Sequence, residues 1–334
     1  MGGAVATTRI SLALRRELAK LWPNLFQQDL TESLVETSRI LNDAGLSEDG
    51  FALSAEAIML AADLVDADPA DHAGLLMAAL KMRARTALSL GYWSAGLEAA
   101  EAELALHRSA STYRAQTGHL LAESLHNRAT FLTMLDRDNE ALASVTESLQ
   151  LGVAPPQVTG DIAGLRGSSL HLAGKLAVRV GDLEGARNWF IQAVDWWSAL
   201  HPQMDPRVDS NIAQSCIELA NLNARLGNIE GAANTTQTAV TALNSLAGQE
   251  ANTSNFTRLA RALLQLGNLR RKTGDLEAAI VAYRAAASLK RKLKGAGSDD
   301  ILAVTAARKL IVCLRRAGRI EESEAWRQRL GITE

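Results

Sequence analysis

Leucine and alanine recur at helical spacing in short runs along this chain, and glycine separates the runs at a regular interval. The clearest segment starts at Ser254, which we expect to cap a helix. Its first run has apolar residues on one helical face: Leu259, Leu263, Leu266 and Leu269. Gly274 and Asp275 end this helix. A second helical run follows: Leu276, Ala279, Ile280, Tyr283 and Ala286. The segment is therefore predicted to form a helical hairpin.

The same pattern recurs along the chain, because a turn residue is repeatedly followed five residues later by a small residue. The pairs are Gly45 and Gly50, Gly91 and Gly96, Asp136 and Ala141, Gly181 and Ala186, Gly227 and Ala232, Gly274 and Ala279, and Gly318 and Ser323. Successive turn residues are 46, 45, 45, 46, 47 and 44 positions apart. A period this regular indicates a repeat array.

These repeats predict an all-α fold, an α-solenoid of about seven helical hairpins. We expect residues 26–334 to form one continuous domain, with turns near residues 45, 91, 136, 181, 227, 274 and 318. Within residues 1–25, positions 7–22 predict one amphipathic helix. By the repeat period, this helix lies where the second helix of a preceding hairpin would lie, and the first helix of that hairpin is missing. The predicted helix is either an N-terminal cap or part of an array cut from a longer polypeptide.

A second set of small residues supports the hairpins. The residue seven positions before each turn is small in six of the seven repeats: Ser38, Ala84, Ala129, Gly174, Ala220 and Gly267, with Ile311 as the exception. Small side chains at facing positions of two antiparallel helices allow their backbones to approach closely. We therefore interpret both sets of small residues as packing positions.

The repeat pattern resembles the tetratricopeptide repeats over residues 26–330. The best copy has Leu263, Leu266, Gly267, Gly274, Ala279, Tyr283 and Ala286, and the next has Leu170, Ala173, Gly174, Gly181, Ala186, Phe190 and Ala193. The period is longer than the 34 residues of that family's usual repeat. The family's closing proline is also absent. Longer helices and linkers, as in kinesin-light-chain-like arrays and the sensor arrays of bacterial signalling ATPases, would explain the extra residues. The resemblance implies that the α-solenoid is a right-handed superhelix.

Composition agrees with closely packed helices, and charge is unevenly distributed. The 334 residues are 47% hydrophobic but only 4% aromatic, and the formal net charge is -2. Residues 1–150 hold 12 Lys and Arg against 20 Asp and Glu, whereas the remainder holds 23 against 17. The positive excess therefore lies in the C-terminal half.

The sequence contains no catalytic or metal-binding motif that we recognise. Gly174 and Lys175 lack the rest of a phosphate-binding loop, and the six histidines form no zinc motif. Cys216 and Cys313 follow the apolar face of helices and are expected to be small buried residues. One acidic group is expected to solvate and cap a helix: Asp63, Asp66, Asp68 and Asp71. We predict no enzyme activity and no cofactor. No signal peptide or membrane span is recognised, so we expect a cytoplasmic protein without a membrane partner.

The resemblance implies that the first helix of each hairpin lines a concave groove, so its outward residues are the candidate binding site. This row is polar and mostly basic. It comprises Lys81, Arg85, His126, Asn127, His171, Lys175, Arg179, Asn221, Arg225, Gln265, Asn268, Arg271, Lys272, Arg308 and Lys309. A basic wall favours acidic segments, and amides can pair with the backbone of an extended peptide. The alternative is that these charges only keep exposed helices soluble.

The leading hypothesis is a non-catalytic protein–protein interaction module that binds an acidic or extended peptide in this groove. The second hypothesis makes the chain the sensor or autoinhibitory region of a larger signalling or regulatory protein. Nucleic-acid binding by the basic half is the third, and it is less favoured because aromatic residues are not interleaved with the basic ones. The sequence leaves open whether the chain forms a homo-oligomer.

Overall fold

The chain folds into helices connected by short turns. The computed structural model describes residues 2–110, 118–151, 160–200, 206–293 and 300–330. Over these residues the regular structure is α-helical, with one short 3-10 helix and no strand. The backbone divides into two compact units, Met1–Val180 (unit 1) and Gly181–Glu334 (unit 2).

Unit 1 contains eight helices in the described residues. They are α1 Gly2–Leu21, α2 Pro23–Asp43, α3 Ser47–Ala67, α4 Pro69–Leu90, α5 Trp93–Ala110, α6 Gly118–Met134, α7 Asp138–Gln150 and α8 Gly160–Arg179. Each helix packs against the next in sequence, and the first helices of neighbouring hairpins also meet, α2 with α4 and α6 with α8. This is the packing of an α-solenoid, in which neighbours in sequence are neighbours in space.

Unit 2 repeats the arrangement with seven helices in its described residues. They are α9 Leu183–Leu200, α10 Pro206–Arg225, α11 Ile229–Gln249, α12 Thr253–Lys272, α13 Leu276–Ser288, α14 Asp300–Arg316 and α15 Ile320–Leu330. The 3-10 helix Leu289–Arg291 follows α13 directly. Consecutive helices again pack together, and α12 also meets α14.

A residue with positive φ lies at the end of every first helix. These residues are Gly45, Gly91, Asp136, Gly181, Gly227, Gly274 and Gly318. Asp136, with φ 57°, is the only non-glycine residue with positive φ among the residues the structure describes. Aspartate tolerates this left-handed conformation better than most residues, which explains why it can replace glycine in the third repeat.

The two sets of small residues are buried where the helices of a hairpin meet. All the residues five positions after a turn are buried, from Gly50 to Ser323. The Ser38 hydroxyl donates to the Gly50 carbonyl at 2.7 Å. A Cβ atom added to Gly50 would lie 2.9 Å from the Ser38 carbonyl oxygen. The backbones are therefore close enough at this point to exclude larger side chains.

Side-chain caps fix several helix starts. Asp68 caps α4 by accepting hydrogen bonds from the amides of Ala70 and Asp71, as the sequence predicted for this acidic group. The prediction that Ser254 caps its helix is wrong, because α12 begins at Thr253. Its cap is Asn252, whose side chain accepts from the Asn255 amide at 2.9 Å.

The N-terminal helix α1 packs against α2 as an additional helix in front of the first hairpin. Its Leu12 is buried in a cluster with Leu30, Leu34, Ala57 and Ala79. The arginines of α1 are directed towards α2 and α3: Arg9 pairs with Asp49, Arg16 with Glu56, and Arg15 bonds Ser33. Helix α1 is thus held by one buried leucine and by ion pairs at its sides.

Candidate functional site

The predicted site residues all lie on first helices, but they divide between the two units. Those on α4, α6 and α8 of unit 1 are Lys81, Arg85, His126, Asn127, His171, Lys175 and Arg179. Those on α10, α12 and α14 of unit 2 are Asn221, Arg225, Gln265, Asn268, Arg271, Lys272, Arg308 and Lys309. Because the turns are in phase, these residues occupy matching positions on successive first helices.

The cations of the unit 1 row are mostly engaged within their own unit. Lys81 lies 2.6 Å from the Glu123 carboxylate, and Arg85 lies 2.7 Å from Asp43. Arg179 bonds both Asp136, at 2.6 Å, and Asp138, at 2.9 Å. Each of these contacts joins residues from neighbouring repeats. An incoming acidic segment would therefore have to compete with carboxylates that are already in place.

The two histidines of this row are half-buried, and His126 connects two first helices. His126 Nδ1 lies 2.8 Å from the Ser169 hydroxyl, a hydrogen bond from α6 to α8. Burial lowers the pKa of His126 to about 4. Burial, aided by the charge of Lys175, also lowers the pKa of His171 to about 4. Both imidazoles are neutral at pH 7 and add no positive charge to the row.

In unit 2 the amide side chains connect successive first helices. The Gln265 amide donates to the Asn221 oxygen at 2.9 Å, between α12 and α10. The Asn268 oxygen accepts from the Tyr283 hydroxyl at 2.9 Å and from the Lys309 ammonium at 2.6 Å. Each amide retains further hydrogen-bonding capacity, since Asn and Gln carry two donors and an acceptor with two lone pairs.

Within the described part of the chain, most cations of the unit 2 row lack a carboxylate partner, in contrast to most cations of the unit 1 row. Among the residues that the structure describes, Arg225, Arg271, Lys272 and Arg308 form no ion pair, and all four are exposed. We call these four cations, with the amide-linked Asn221, Gln265, Asn268 and Lys309, the unit 2 face. Residues 181–334 hold 20 Lys and Arg against 16 Asp and Glu, compared with 15 against 21 in residues 1–180.

Part of this basic character also serves the helices themselves. Arg225 lies in the last turn of α10, and Arg271 and Lys272 lie in the last turn of α12. Cations there interact favourably with the partial negative charge of a helix C-terminus, by 0.3 to about 1 kcal/mol each. That interaction leaves their side chains exposed, so it does not prevent them from binding an anion.

A cavity of about 420 Å³ lies on the same first helices, between α10 and α12. Its lining is Ser210, Gln214, Ile217, Glu218, Arg258, Arg261, Ala262 and Gln265. The sequence pattern predicted Gln265 as a site residue but missed Arg258 and Arg261. Arg261 lies 13 positions before the turn at Gly274, whereas the predicted residues of each first helix lie within ten positions of its turn. Extending the same spacing by one helical turn would have included Arg261.

The described residues contain no group of His, Cys, Asp and Glu side chains arranged to hold a metal ion. Cys216 and Cys313 are both buried free thiols, as expected. Burial raises the pKa of Cys216 to about 12 and also raises that of Cys313. Such thiols stay protonated and pack as small apolar groups.

None of the helices in the described part of the chain combines the length and apolar character that a membrane crossing requires.

Sequence comparison identifies one repeat. Residues 260–293 match the family described as tetratricopeptide repeat. This range covers most of α12, all of α13 and the 3-10 helix. Comparison with curated proteins finds no match.

Several solved structures share the fold. BtubC (BKLC) from P. vanneervenii is 16% identical and covers 75% of this chain and 92% of its own, with a TM-score of 0.57. A putative kinesin light chain with TPR-like repeats from Podosopora anserina is also 16% identical, covering 68% and 98%, with a TM-score of 0.51. The STAND protein PH0952 from Pyrococcus horikoshii, which has a tetratricopeptide repeat sensor, is 14% identical, covering 95% and 48%, with a TM-score of 0.51. These matches show the α-solenoid fold of tetratricopeptide-like repeats that the sequence predicted.

Proposed function

We propose that this chain, which has the tetratricopeptide-repeat fold, is a non-catalytic protein–protein interaction module. Its ligand is an acidic, extended segment of a partner protein, which binds along the unit 2 face. The observation that carries the proposal is the difference in pairing between the two rows. Lys81, Arg85 and Arg179 already have carboxylate partners, whereas Arg225, Arg271 and Lys272 have none among the residues that the structure describes.

The amides of the unit 2 face support an extended backbone as the ligand. Asn221 and Gln265 bond each other, and Asn268 is held by Tyr283 and Lys309. Because these contacts fix the amides in place, little side-chain entropy is lost when a peptide binds them. Their remaining donors and acceptors suit the N–H and C=O groups of a peptide backbone. In this proposal the cations provide charge attraction and the amides provide register.

The unit 1 residues Lys81, Arg85, His126, Asn127, His171, Lys175 and Arg179 have a different proposed role. Four of them, Lys81, Arg85, His126 and Arg179, contact residues of a neighbouring repeat, and His171 is half-buried. We infer that they mainly stabilise the stacking of unit 1. The proposed partner is a cytoplasmic protein, in keeping with the location expected from the sequence.

A titration with two matched peptides tests the proposed function. One is a fluorescein-labelled peptide in which Glu and Asp alternate with Gly and Ser, and the other carries Gln and Asn at the acidic positions. We expect the acidic peptide to bind at least about ten-fold more tightly, a difference of about 1.4 kcal/mol. Equal affinity for both peptides would contradict an acidic ligand. Binding of a single-stranded oligonucleotide more tightly than the acidic peptide would favour nucleic acid instead.

A second candidate function is the sensor region of a larger signalling protein. It is favoured by the likeness to PH0952, whose tetratricopeptide repeats are named a sensor and which is matched by 95% of this chain over 48% of its own length. An antibody raised against this chain, used on an extract of the native host, tests it. A band well above 35.7 kDa supports a larger polypeptide, and a band at 35.7 kDa contradicts it.

A further inference from the structure

The cavity between α10 and α12 has a composition that the unit 2 face does not explain. Two arginines line it from α12, and a glutamate lines it from α10. The lining also includes the apolar residues Ile217 and Ala262, while Gln214 and Gln265 add amide groups. A volume of about 420 Å³ is enough for a side chain with its adjoining backbone, within the range of small-ligand pockets.

The two arginines differ in how they are held. Arg258 is half-buried and donates to the Ser210 hydroxyl at 3.0 Å and to the Ser210 carbonyl at 3.4 Å. A guanidinium has five N–H donors, so three remain after these two bonds. Arg258 is thus fixed in position and still able to donate. Burial lowers the pKa of Arg258. Because Arg258 has no ion-pair partner among the described residues, a bound anion would offset the cost of burying its charge.

Arg261 lies one helical turn further along α12 on the same face. It is exposed, and among the described residues it makes no hydrogen bond and no ion pair. The spacing of three positions brings the side chains of Arg258 and Arg261 to neighbouring places on the helix surface. Two neighbouring guanidinium groups, one of them held by hydrogen bonds, form a receptor for a carboxylate or a phosphate.

Glu218 distinguishes these two anions. It is half-buried in the cavity wall and, within the described part of the chain, has no hydrogen-bond or ion-pair partner. The negative charge of Glu218 repels an anionic ligand, and the free-energy cost of this repulsion grows with the charge on the ligand. A phosphate group carries up to two negative charges near pH 7, whereas a carboxylate carries one. The cavity therefore favours the singly charged group.

We propose that this cavity is the anchor subsite for the partner segment and that it binds one carboxylate between Arg258 and Arg261, with Glu218 accepting a hydrogen bond from the ligand's own backbone N–H. The proposal rests on the proposed function, because the same first helices carry both sites. Gln265 lies in both the cavity and the unit 2 face, so a segment anchored here continues directly onto the cationic residues. The carboxylate can come from an acidic side chain or from a chain terminus.

Binding of three short peptides to the full chain distinguishes carboxylate from phosphate as the ligand. All have an acetylated Gly/Ser sequence: one has a central Glu and an amidated end, one has a free terminal carboxylate and no acidic side chain, and one has a central phosphoserine and an amidated end. Binding is followed by ¹H–¹⁵N chemical-shift changes of the arginine side chains. We expect one or both carboxylate peptides to bind at least about five-fold more tightly than the phosphoserine peptide. The better of the two identifies the source of the carboxylate.

The variants Arg261→Gln and Glu218→Gln test the assigned roles. Arg261→Gln should weaken carboxylate binding at least about five-fold, and Glu218→Gln should raise the affinity for the phosphoserine peptide. Arg261 is exposed and has no partner in the described residues, so its replacement should leave the fold intact, which circular dichroism checks. Lys290→Gln, which removes an exposed cation from the 3-10 helix, is the matched control and should change neither affinity.

Tightest binding of the phosphoserine peptide, unchanged affinity in Arg261→Gln, or no binding of the three peptides would each overturn the subsite. These results are separable from failure of the proposed function. The fluorescein-labelled acidic peptide separates the two cases. If it binds wild type and Arg261→Gln equally, but its binding is lost when Arg225, Arg271 and Lys272 are neutralised, the subsite is wrong and the unit 2 face stands. If the fluorescein-labelled acidic peptide does not bind wild type, the proposed function itself fails.

Discussion

Gly267 and Tyr283 show how single residues set the distance between the two helices of a hairpin. Tyr283 on α13 is fully buried, and a Cβ atom added to Gly267 on α12 would lie 2.5 Å from its ring. The ring fills the space that the glycine leaves open. The Tyr283 hydroxyl then bonds Asn268, a residue of the unit 2 face. Packing and site geometry are therefore connected through one aromatic side chain.

Replacing Gly267 with alanine should destabilise unit 2 by about 1–3 kcal/mol, because the enclosed Tyr283 ring cannot move aside without strain. Gly74→Ala in α4 is the matched control, since an added Cβ would meet nothing within 4 Å. That change should stabilise the chain by roughly 0.5–1 kcal/mol through helix propensity. Urea unfolding measures both changes. Equal effects of the two substitutions would contradict the close approach at Gly267.

His126 makes unit 1 sensitive to acid. Its pKa is about 4 in the folded protein and 6.5 in the unfolded chain, so the unfolded chain takes up the proton first as the pH falls. The stability that this pKa difference provides is fully present above about pH 6.5 and is lost as the pH falls towards 4. Between pH 7 and pH 5 the loss should be roughly 1–2 kcal/mol.

The variant His126→Gln tests this, because Gln can still bond Ser169 but does not titrate. Thermal melts at pH 7 and pH 5 should show a smaller difference for the variant than for wild type. The same pH dependence in both proteins would show that His126 is not responsible.

At the scale of helices, α1 depends on Leu12 and on its ion pairs to α3. Leu12 is 4% exposed and lies in the cluster with Leu30 and Leu34, whereas Leu14 on the same helix is 63% exposed. Leu12→Ala should cost about 2–4 kcal/mol, and Leu14→Ala should cost close to nothing. Hydrogen exchange of the α1 amides measures the difference. Equal protection in the two variants would contradict the described packing of α1.

The positions of the helices could be predicted from sequence to within a few residues, because the turn residues and the small residues recur with the same period. The exact helix starts could not. Asn252, Thr253, Ser254 and Asn255 include several good capping residues, and the sequence does not distinguish among them. The structure selects Asn252, since its side chain reaches the Asn255 amide.

The site could be predicted only in part for a related reason. The spacing identified which residues lie on first helices, but pairing between repeats depends on how each first helix is shifted along its neighbour. Residues that bond across one repeat are 41 apart for Lys309 and Asn268, 44 for Gln265 and Asn221, and 48 for Arg258 and Ser210. Such offsets arise from packing, so the partners of Lys81, Arg85 and Arg179 could not be read from the sequence.

At the scale of the molecule, charge separates the two units more sharply than the net charge of -2 suggests. Unit 1 is acidic in balance and pairs the cations Lys81, Arg85 and Arg179 internally. Unit 2 is basic in balance, and within its described residues Arg225, Arg271 and Lys272 have no carboxylate partner. Exposed charge attraction is screened by salt. The affinity for an acidic segment should therefore fall as salt increases.

The most direct measurement compares two triple variants in fluorescence anisotropy titrations with the labelled acidic peptide at low salt. One variant carries Arg225→Gln, Arg271→Gln and Lys272→Gln, and the other carries Lys81→Gln, Arg85→Gln and Arg179→Gln. Both remove three positive charges, so they change the net charge equally. We expect the unit 2 variant to lose at least about ten-fold in affinity and the unit 1 variant less than about two-fold. Equal losses, or a larger loss in the unit 1 variant, would contradict the unit 2 face as the binding site.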